Sequence, residues 1–326
     1  MFLKKNKLLS LQKAIELAPI LLIQRSSSWS IFELCKAWSY SRQAYYQALK
    51  RQRLWSLQED IILELVREKK RWLPNSGGLK MLHLIRPDLT KMSIEIGRDK
   101  FFNLLKVNDL LVFRKKRTTI TTNSNHPFKK YGNLMKGIKV SRVYQVLVAD
   151  ITYIRTLEGF LYLALITDAF SRKIVGWDLS DSLELEGCLR ALKKALRPLP
   201  IPISNPSKTR KTDKVKKEKL MIHHSDRGSQ YCSYEYIKLL NKYHFKVSMA
   251  AAGNCYENAM AERVNGILKT EFELHQNFKS KNVAQKVVQQ SIKLYNTMRP
   301  HRAIQLSTPQ EFFDSNFNEH FVASQL

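Results

Sequence analysis

The chain has 326 residues, of which 44% are hydrophobic and 25% charged; this composition predicts two or three globular domains and excludes a fibrous or wholly disordered protein. The longest apolar run, residues 17–23, is far shorter than the roughly 20 residues that a membrane-spanning helix needs, and the N-terminus resembles no signal peptide. Lys and Arg number 55 against 28 Asp and Glu, and residues 1–140 hold 28 of these basic residues with only 10 acidic ones, which favours a polyanionic partner, with nucleic acid first, over a merely basic surface.

The N-terminal region predicts helices with a basic surface. Two short helices are predicted over residues 30–52, and Ser41 suits the N-cap of the second. A helix, a short turn and a polar, basic helix form the outline of a helix-turn-helix, although many small helical pairs share it. Arg42, Gln43 and Lys50 on the second helix are therefore candidate DNA contacts.

More helices and a basic linker follow. The hydrophobic period predicts helices over residues 8–24, 58–72, 79–85 and 98–105. Pro87 separates the last two, and the group is either a second DNA-binding unit or a plain helical bundle. Residues 114–140 sustain no period and predict a linker. Its first four residues are candidate phosphate contacts, or simply solvated: Arg114, Lys115, Lys116 and Arg117.

From residue 141 the pattern changes to that of strands. Three strands with short connections, over residues 143–154, 159–167 and 173–179, predict an antiparallel meander. Helices and strands then alternate over residues 181–196, 220–224, 231–243, 245–249 and 254–272. Residues 203–219 hold seven basic and two acidic residues and predict an exposed loop. This order of elements predicts an α/β domain with a mixed sheet.

Three carboxylates stand out by position. Asp150 lies inside an apolar strand, where a carboxylate needs hydrogen bonds or a cation. Asp226 follows a later strand, at the kind of strand end where ligands bind, and Glu262 lies on a packed helix. Taken singly, Asp226 is more typical of a turn and Glu262 of a solvated helix face. Together they could converge at one sheet edge and hold Mg²⁺ ions for phosphodiester chemistry.

The sequence motifs around these carboxylates are more specific for one protein family than the spacing of the carboxylates is. Asp226 and Glu262 are separated by 35 residues. The matching segments are Val148–Tyr153, Thr167–Arg172, His224–Tyr231, Gly253–Ala259 and Tyr295–His301. The chain resembles the OrfB-type transposases of the insertion-sequence-three family, which have a retroviral-integrase-like catalytic core and a DDE motif.

The resemblance implies a fold, a reaction and a cofactor. It implies an α/β ribonuclease-H-like core with a mixed five-stranded sheet, preceded by an all-α helix-turn-helix region. It further implies that Asp150, Asp226 and Glu262 bind two Mg²⁺ ions, or Mn²⁺ as a substitute. The implied reaction nicks DNA at the ends of an element, and the freed 3′-hydroxyl then attacks another phosphodiester.

The resemblance also implies partners. These are the terminal inverted repeats and the target DNA, further copies of the chain on that DNA, and an upstream helix-turn-helix and leucine-zipper protein joined by frameshift fusion. The chain shows no sustained heptads of its own. The four scattered cysteines fit a reducing compartment, so we expect a cytoplasmic, nucleoid-associated bacterial protein without a membrane partner.

The domain boundaries that follow are 1–113 for the helical DNA-binding region, 114–140 for the linker, 141–275 for the core and 276–326 for a C-terminal helical extension.

Several assignments stay open at this point. Lys269, two helical turns after Glu262, is a candidate phosphate contact. Arg299 is either another DNA contact or a structural cap of the core. Asp168 is more typical of a structural turn than of a metal ligand. A catalytically silent DNA-binding regulator, a decayed transposase and a structure-specific nuclease remain the alternative functions.

Overall fold

The computed structural model describes residues 30–37, 41–112, 128–200, 220–250 and 258–321. The chain divides into two compact units, residues 1–68 with 85–109 and residues 69–84 with 110–326. The helix predicted at 8–24, the basic residues 114–117 and the loop 203–219 lie outside the described residues. No helix within the described ranges combines the length and the apolar character needed to cross a bilayer.

The N-terminal helices begin as predicted, but they run further. Their bounds are α1 Ile31–Ala37, α2 Arg42–Trp72, α3 Gly78–Lys91 and α4 Arg98–Val107. Ser41 caps α2, because its Oγ accepts a hydrogen bond from the Ala44 N–H at 3.0 Å.

Two predicted helix ends, at residues 52 and 85, are wrong. Helix α2 continues through residues 53–57, which contain neither Gly nor Pro, so the two helices predicted there form one helix of 31 residues. Helix α3 also continues through Pro87, which removes only one donor from the helical ladder. A helix-turn-helix would therefore have an unusually long second helix.

A mixed sheet forms the second unit. Its strands are β1 Val146–Thr156, β2 Gly159–Asp168, β3 Ile174–Ser180, β4 Met221–Ser225, β5 Phe245–Met249 and the short β6 Asn277–Phe278. The order is β3-β2-β1-β4-β5, with β6 paired to β1. The first three strands are antiparallel, whereas β4 pairs parallel with both β1 and β5. The predicted five-stranded mixed sheet is thus confirmed, with one short strand added.

Helices cover both faces of this sheet. Their bounds are α5 Leu185–Leu196, α6 Ser229–Cys232, α7 Tyr234–Lys242, α8 Ala259–Glu271, α9 Lys281–Thr297 and α10 Pro309–Phe321. Helices α5 and α7 pack with Leu147 and Ala149 of β1 in one core. Helices α8 and α9 pack on the other face, against Ile154 of β1 and against β2. The alternation along β1 therefore sends successive side chains to two different cores.

Residues before the predicted core also belong to the sheet unit. Leu73 is buried in the core of α8 and α9, and Leu84 packs against it. Burial of these apolar side chains explains why residues 69–84 group with the sheet unit and not with the preceding helices. The predicted boundary at residue 113 therefore differs from the division that packing produces.

Arg299 lies inside this unit and not at a surface. Its side chain is 3% exposed, and its guanidinium donates two hydrogen bonds of 2.8 Å to the Glu271 carboxylate. Lys80 donates to the same carboxylate at 2.8 Å, and both cations lower the pKa of Glu271 against the effect of its burial. This position contradicts the predicted DNA contact and supports the alternative, a structural cap. The bidentate geometry is one that arginine forms best.

We expect Arg299→Met to destabilise the fold by about 3 kcal/mol, because the change strips a buried carboxylate of its bidentate partner. Urea unfolding followed by circular dichroism measures this loss. Arg302→Met is the matched control, since Arg302 is exposed and three residues away. If Arg299→Met unfolded like the wild type but bound DNA more weakly, Arg299 would be a DNA contact and not a structural cap.

Two buried histidines make the stability of the protein sensitive to acid. Burial lowers the pKa of His223 to about 3 and that of His301 to about 2. Both side chains therefore stay neutral in the folded protein, whereas in the unfolded chain each ionises near pH 6.5. Below that pH the unfolded state takes up protons that the folded state does not, so unfolding becomes more favourable.

We expect His223 and His301 each to lower the free energy of unfolding by about 2 kcal/mol between pH 7 and pH 5. Urea titrations at pH 7, 6 and 5 measure this slope. His301→Gln should flatten it, while His275→Gln, at an exposed position, should leave it unchanged. An equal slope in all three proteins would show that His301 is not the source.

Candidate functional site

Asp150 sits on β1 at the edge where β4 ends. Its Oδ2 accepts a hydrogen bond of 2.7 Å from the Asn265 side chain, and its Oδ1 accepts one of 3.0 Å from the Ile151 N–H. Burial and then the negative charges of Asp226 and Glu262 together raise the pKa of Asp150 to about 7, although the two hydrogen bonds act in the opposite direction. Asp150 thus lies within electrostatic reach of both other predicted carboxylates.

Strand register explains why Asp226 comes close to Asp150. Strands β1 and β4 are parallel, with Val148 opposite His224. Asp150 and Asp226 each follow that pair by two residues, so they lie at about the same level along the sheet. Adjacent strands lie about 4.8 Å apart, so two carboxylates at this level must share one small region.

The turn after β4 holds Asp226 in place. Its Oδ1 accepts a hydrogen bond of 3.0 Å from the Gly228 N–H, just before α6. A Cβ atom on Gly228 would lie 3.1 Å from that same oxygen and 3.2 Å from Oε1 of Gln230. Glycine therefore allows the backbone to approach the carboxylate closely enough to bind it.

Helix α8 brings Glu262 to the same region. Ala261 is buried against Val146 and Val148 of β1, so the helix packs on the face of the sheet that carries Asp150. Glu262 is exposed in the first turn of α8. It precedes Asn265 by three residues and so lies on the same side of the helix as the amide that contacts Asp150. Partial burial raises its pKa.

The three carboxylates suit a divalent cation in their chemistry. Mg²⁺ prefers carboxylate and amide oxygens. Burial and the neighbouring negative charges raise the pKa of Asp150, and a bound cation would offset both effects. The Oδ1 atom of Asn265 is buried and has no hydrogen-bond partner among the residues that the structure describes. Nevertheless, within the described ranges no three His, Cys, Asp or Glu side chains stand close enough together to hold an ion.

Asn265 is the residue of this site that the sequence prediction missed. It is buried, and it alone links α8 to the Asp150 carboxylate by a side-chain hydrogen bond among those found in the described residues. Its position three residues after Glu262, on a helix expected to pack on the sheet, is the signal that could have identified it.

The acidic and histidine neighbours are structural. Asp168 is fully buried, and its carboxylate accepts hydrogen bonds from the Ser171 N–H, the Ser171 hydroxyl and the Tyr144 N–H. These bonds hold the turn between β2 and β3, which agrees with the favoured structural role. His223 and His224 are also buried. His223 forms a hydrogen bond with the Tyr236 hydroxyl, and His224 forms one with the Ser248 hydroxyl.

The predicted DNA contacts fall in different places. Arg42, Gln43 and Lys50 are exposed on α2, and the Arg42 guanidinium lies 5.7 Å from the centre of the Phe32 ring. Lys269 is half-buried in the last turn of α8. Their role in DNA binding stays a prediction, and Arg114, Lys115, Lys116 and Arg117 lie outside the described residues.

Known proteins match along most of the chain. The Integrase core domain family matches residues 140–255, and a second family of the same description matches residues 243–309. The "Insertion element IS600 uncharacterized 31 kDa protein" of Shigella sonnei is 32% identical over 282 residues, which cover 86% of this chain and 97% of that protein. "Transposase InsF for insertion sequence IS3A" of Escherichia coli K12 is 34% identical over 168 residues, covering 51% and 53%.

Among solved structures, the magnesium complex of the HTLV-2 integrase catalytic core domain covers 53% of this chain and 97% of its own, with 15% identity and a TM-score of 0.39. The identity and coverage of the Shigella relative, and the two adjoining family matches, are what assign the chain. The chain belongs to the insertion-sequence-three family of DNA transposases, which carry an integrase core domain.

Proposed function

We propose that the chain cuts and joins DNA strands with Asp150, Asp226 and Glu262 as the ligands of divalent metal ions. The observation that carries this proposal is the raised pKa of Asp150, which has burial and the charges of the other two carboxylates as its causes. A buried carboxylate whose pKa is raised by burial and by two nearby negative charges belongs to a site that a cation would stabilise.

Two hydrogen bonds support the proposal that Asp150 and Asp226 are held in place before a metal ion binds. Asn265 donates to Asp150 and thereby favours its ionised form, which is the form able to bind a cation. The Gly228 N–H donates to Oδ1 of Asp226 at 3.0 Å and holds that carboxylate in the turn after β4. Glu262 would complete the set from α8, where it is exposed and can adjust its side chain.

Two Mg²⁺ ions, or Mn²⁺ in their place, would activate the attacking water or 3′-hydroxyl and stabilise the leaving oxygen. The protein's own contribution is to concentrate carboxylates at one strand edge and to hold them by the Asn265 and Gly228 contacts. The transposition reaction then consists of nicking at the element ends followed by attack of the freed 3′-hydroxyl on target DNA.

The charge of the chain supports DNA as the substrate. The net charge is +27, and residues 1–140 contribute +18 of it. Basic side chains release counterions from DNA on binding, which supplies much of the affinity. We propose that the helical region binds the terminal inverted repeats, that several copies act together on DNA, and that an upstream helix-turn-helix protein assists where the chain alone is inactive.

Asp150→Asn, Asp226→Asn and Glu262→Gln should each abolish nicking and strand transfer while leaving DNA affinity near normal, because each removes a metal ligand and keeps the shape of the side chain. The assay combines labelled element-end DNA with Mg²⁺ or EDTA, with and without the upstream protein. A loss of activity of at least about 100-fold is expected, the scale of a catalytic electrostatic contribution.

Glu186→Gln is the matched control. Glu186 is exposed on α5, which packs on the opposite face of the sheet, so its loss should leave strand transfer unchanged. Wild-type nicking in any one of the three variants would refute the metal-ligand assignment. Tight DNA binding without nicking by the wild-type chain, even with Mn²⁺ and the upstream protein, would instead indicate a regulator or decayed enzyme.

A further inference from the structure

Helix α2 carries a stripe of apolar side chains that is exposed among the residues that the structure describes. The stripe consists of Tyr46, Leu54, Leu57 and Ile61, whose exposed fractions are 54%, 52%, 62% and 38%. The last three follow the i, i+3, i+7 spacing of one helix face.

The stripe is separate from the face by which α2 packs. Tyr45, Ile62, Leu63 and Val66 are the buried residues of this helix. At 100° per residue their mean direction is nearly opposite to that of Leu54, Leu57 and Ile61. A helix with an apolar face on each side favours a second partner, since exposed apolar patches of this kind mark interaction sites.

The net charge along α2 changes from positive to negative within the length of the stripe. Residues 42–53 hold four basic and no acidic side chains, whereas residues 54–68 hold four acidic and one basic. Lys50 and Glu64 lie on the stripe itself, each seven residues from Leu57, and both are exposed. Neither has an ion-pair partner among the described residues.

We propose that α2 pairs with the α2 helix of a second copy of the chain, antiparallel, with Leu57 on the twofold axis. Lys50 and Glu64 stand about 10 Å on either side of Leu57. In the antiparallel pair each Lys50 therefore faces the partner's Glu64, and Leu54 lies near the partner's Ile61. Such a self-complementary patch is what a twofold contact requires.

The charge pattern selects this orientation. A parallel pair in register would place Lys50 against Lys50 and Glu64 against Glu64, and like charges at such short range oppose pairing. DNA is a poor occupant of the same face, because Glu64 and its exposed neighbour Asp60 would repel phosphates. The second copy fits both halves of the stripe, whereas DNA fits only the basic half.

Charge reversal tests the pairing. Analytical ultracentrifugation of the full chain without DNA, up to about 100 µM, should show a monomer–dimer equilibrium. Lys50→Glu and Glu64→Lys should each weaken dimerisation about tenfold, because each replaces two attractive contacts by two repulsive ones. The double variant should return to within about threefold of the wild type. Arg51→Glu, about 100° around the helix from Lys50, is the matched control and should have a small effect.

A crosslinking experiment tests the orientation. A short bismaleimide should join two copies of Leu57→Cys, because that position lies on the axis. Lys50→Cys should not crosslink to itself, since the two sites would be about 21 Å apart along the helices. Self-crosslinking at position 50 as efficient as at position 57 would indicate a parallel pair and overturn the proposal. The unmodified chain, which contains four cysteines, supplies the background.

A chain that stays monomeric at about 100 µM, or a double variant no better than the single ones, would also refute the pairing. Circular dichroism of each variant verifies that α2 remains helical. The pairing is independent of the metal site, so Asp150→Asn should sediment like the wild type. Failure of one proposal therefore leaves the other standing.

Discussion

The burial of the Asp150 carboxylate near two other negative charges is the constraint on which the arrangement of this sheet edge depends. Asp150 is held in a largely apolar strand, where burial and the charges of Asp226 and Glu262 oppose its ionisation. Such an arrangement costs stability unless hydrogen bonds or a cation compensate. The Asn265 amide offsets part of the cost from the helix side, and the turn at Gly228 fixes Asp226 from the strand side. The packing of α8 against the sheet positions Asn265, and the backbone of the turn after β4 supplies the Gly228 N–H.

Much of this arrangement could be predicted from the sequence because it follows from the local periodicity of hydrophobic residues and from short sequence motifs. The strand at β5 was predicted with the bounds it has, and the meander of β1 to β3 and the mixed sheet followed from the change of period at residue 141. The three carboxylates could be assigned together because the words around them resemble one family. Their positions on a strand, after a strand and on a packed helix were each correct.

What could not be predicted depends on contacts between distant segments. The sequence left Arg299 open between a DNA contact and a structural cap, because its partner Glu271 lies 28 residues away and the Lys80 that shares this carboxylate lies 219 residues away. Asn265 lacks any charge or motif that would mark it, and only its hydrogen bond to Asp150 gives it a role. The continuity of α2 was missed because residues 53–57 break the hydrophobic period without breaking the helix, and the apolar side chains there face outward.

The central claim, that Asp150, Asp226 and Glu262 surround the same metal centre, is tested most directly by iron-directed cleavage of the polypeptide. Fe²⁺ replaces Mg²⁺ at carboxylate sites, and ascorbate with peroxide then cuts the chain where the ion is bound. We expect cuts near residues 150, 226 and 262, suppressed together by excess Mg²⁺ and lost together in Asp150→Asn. Cuts at only one of these positions, or cuts unaffected by Asp150→Asn, would contradict a shared metal centre.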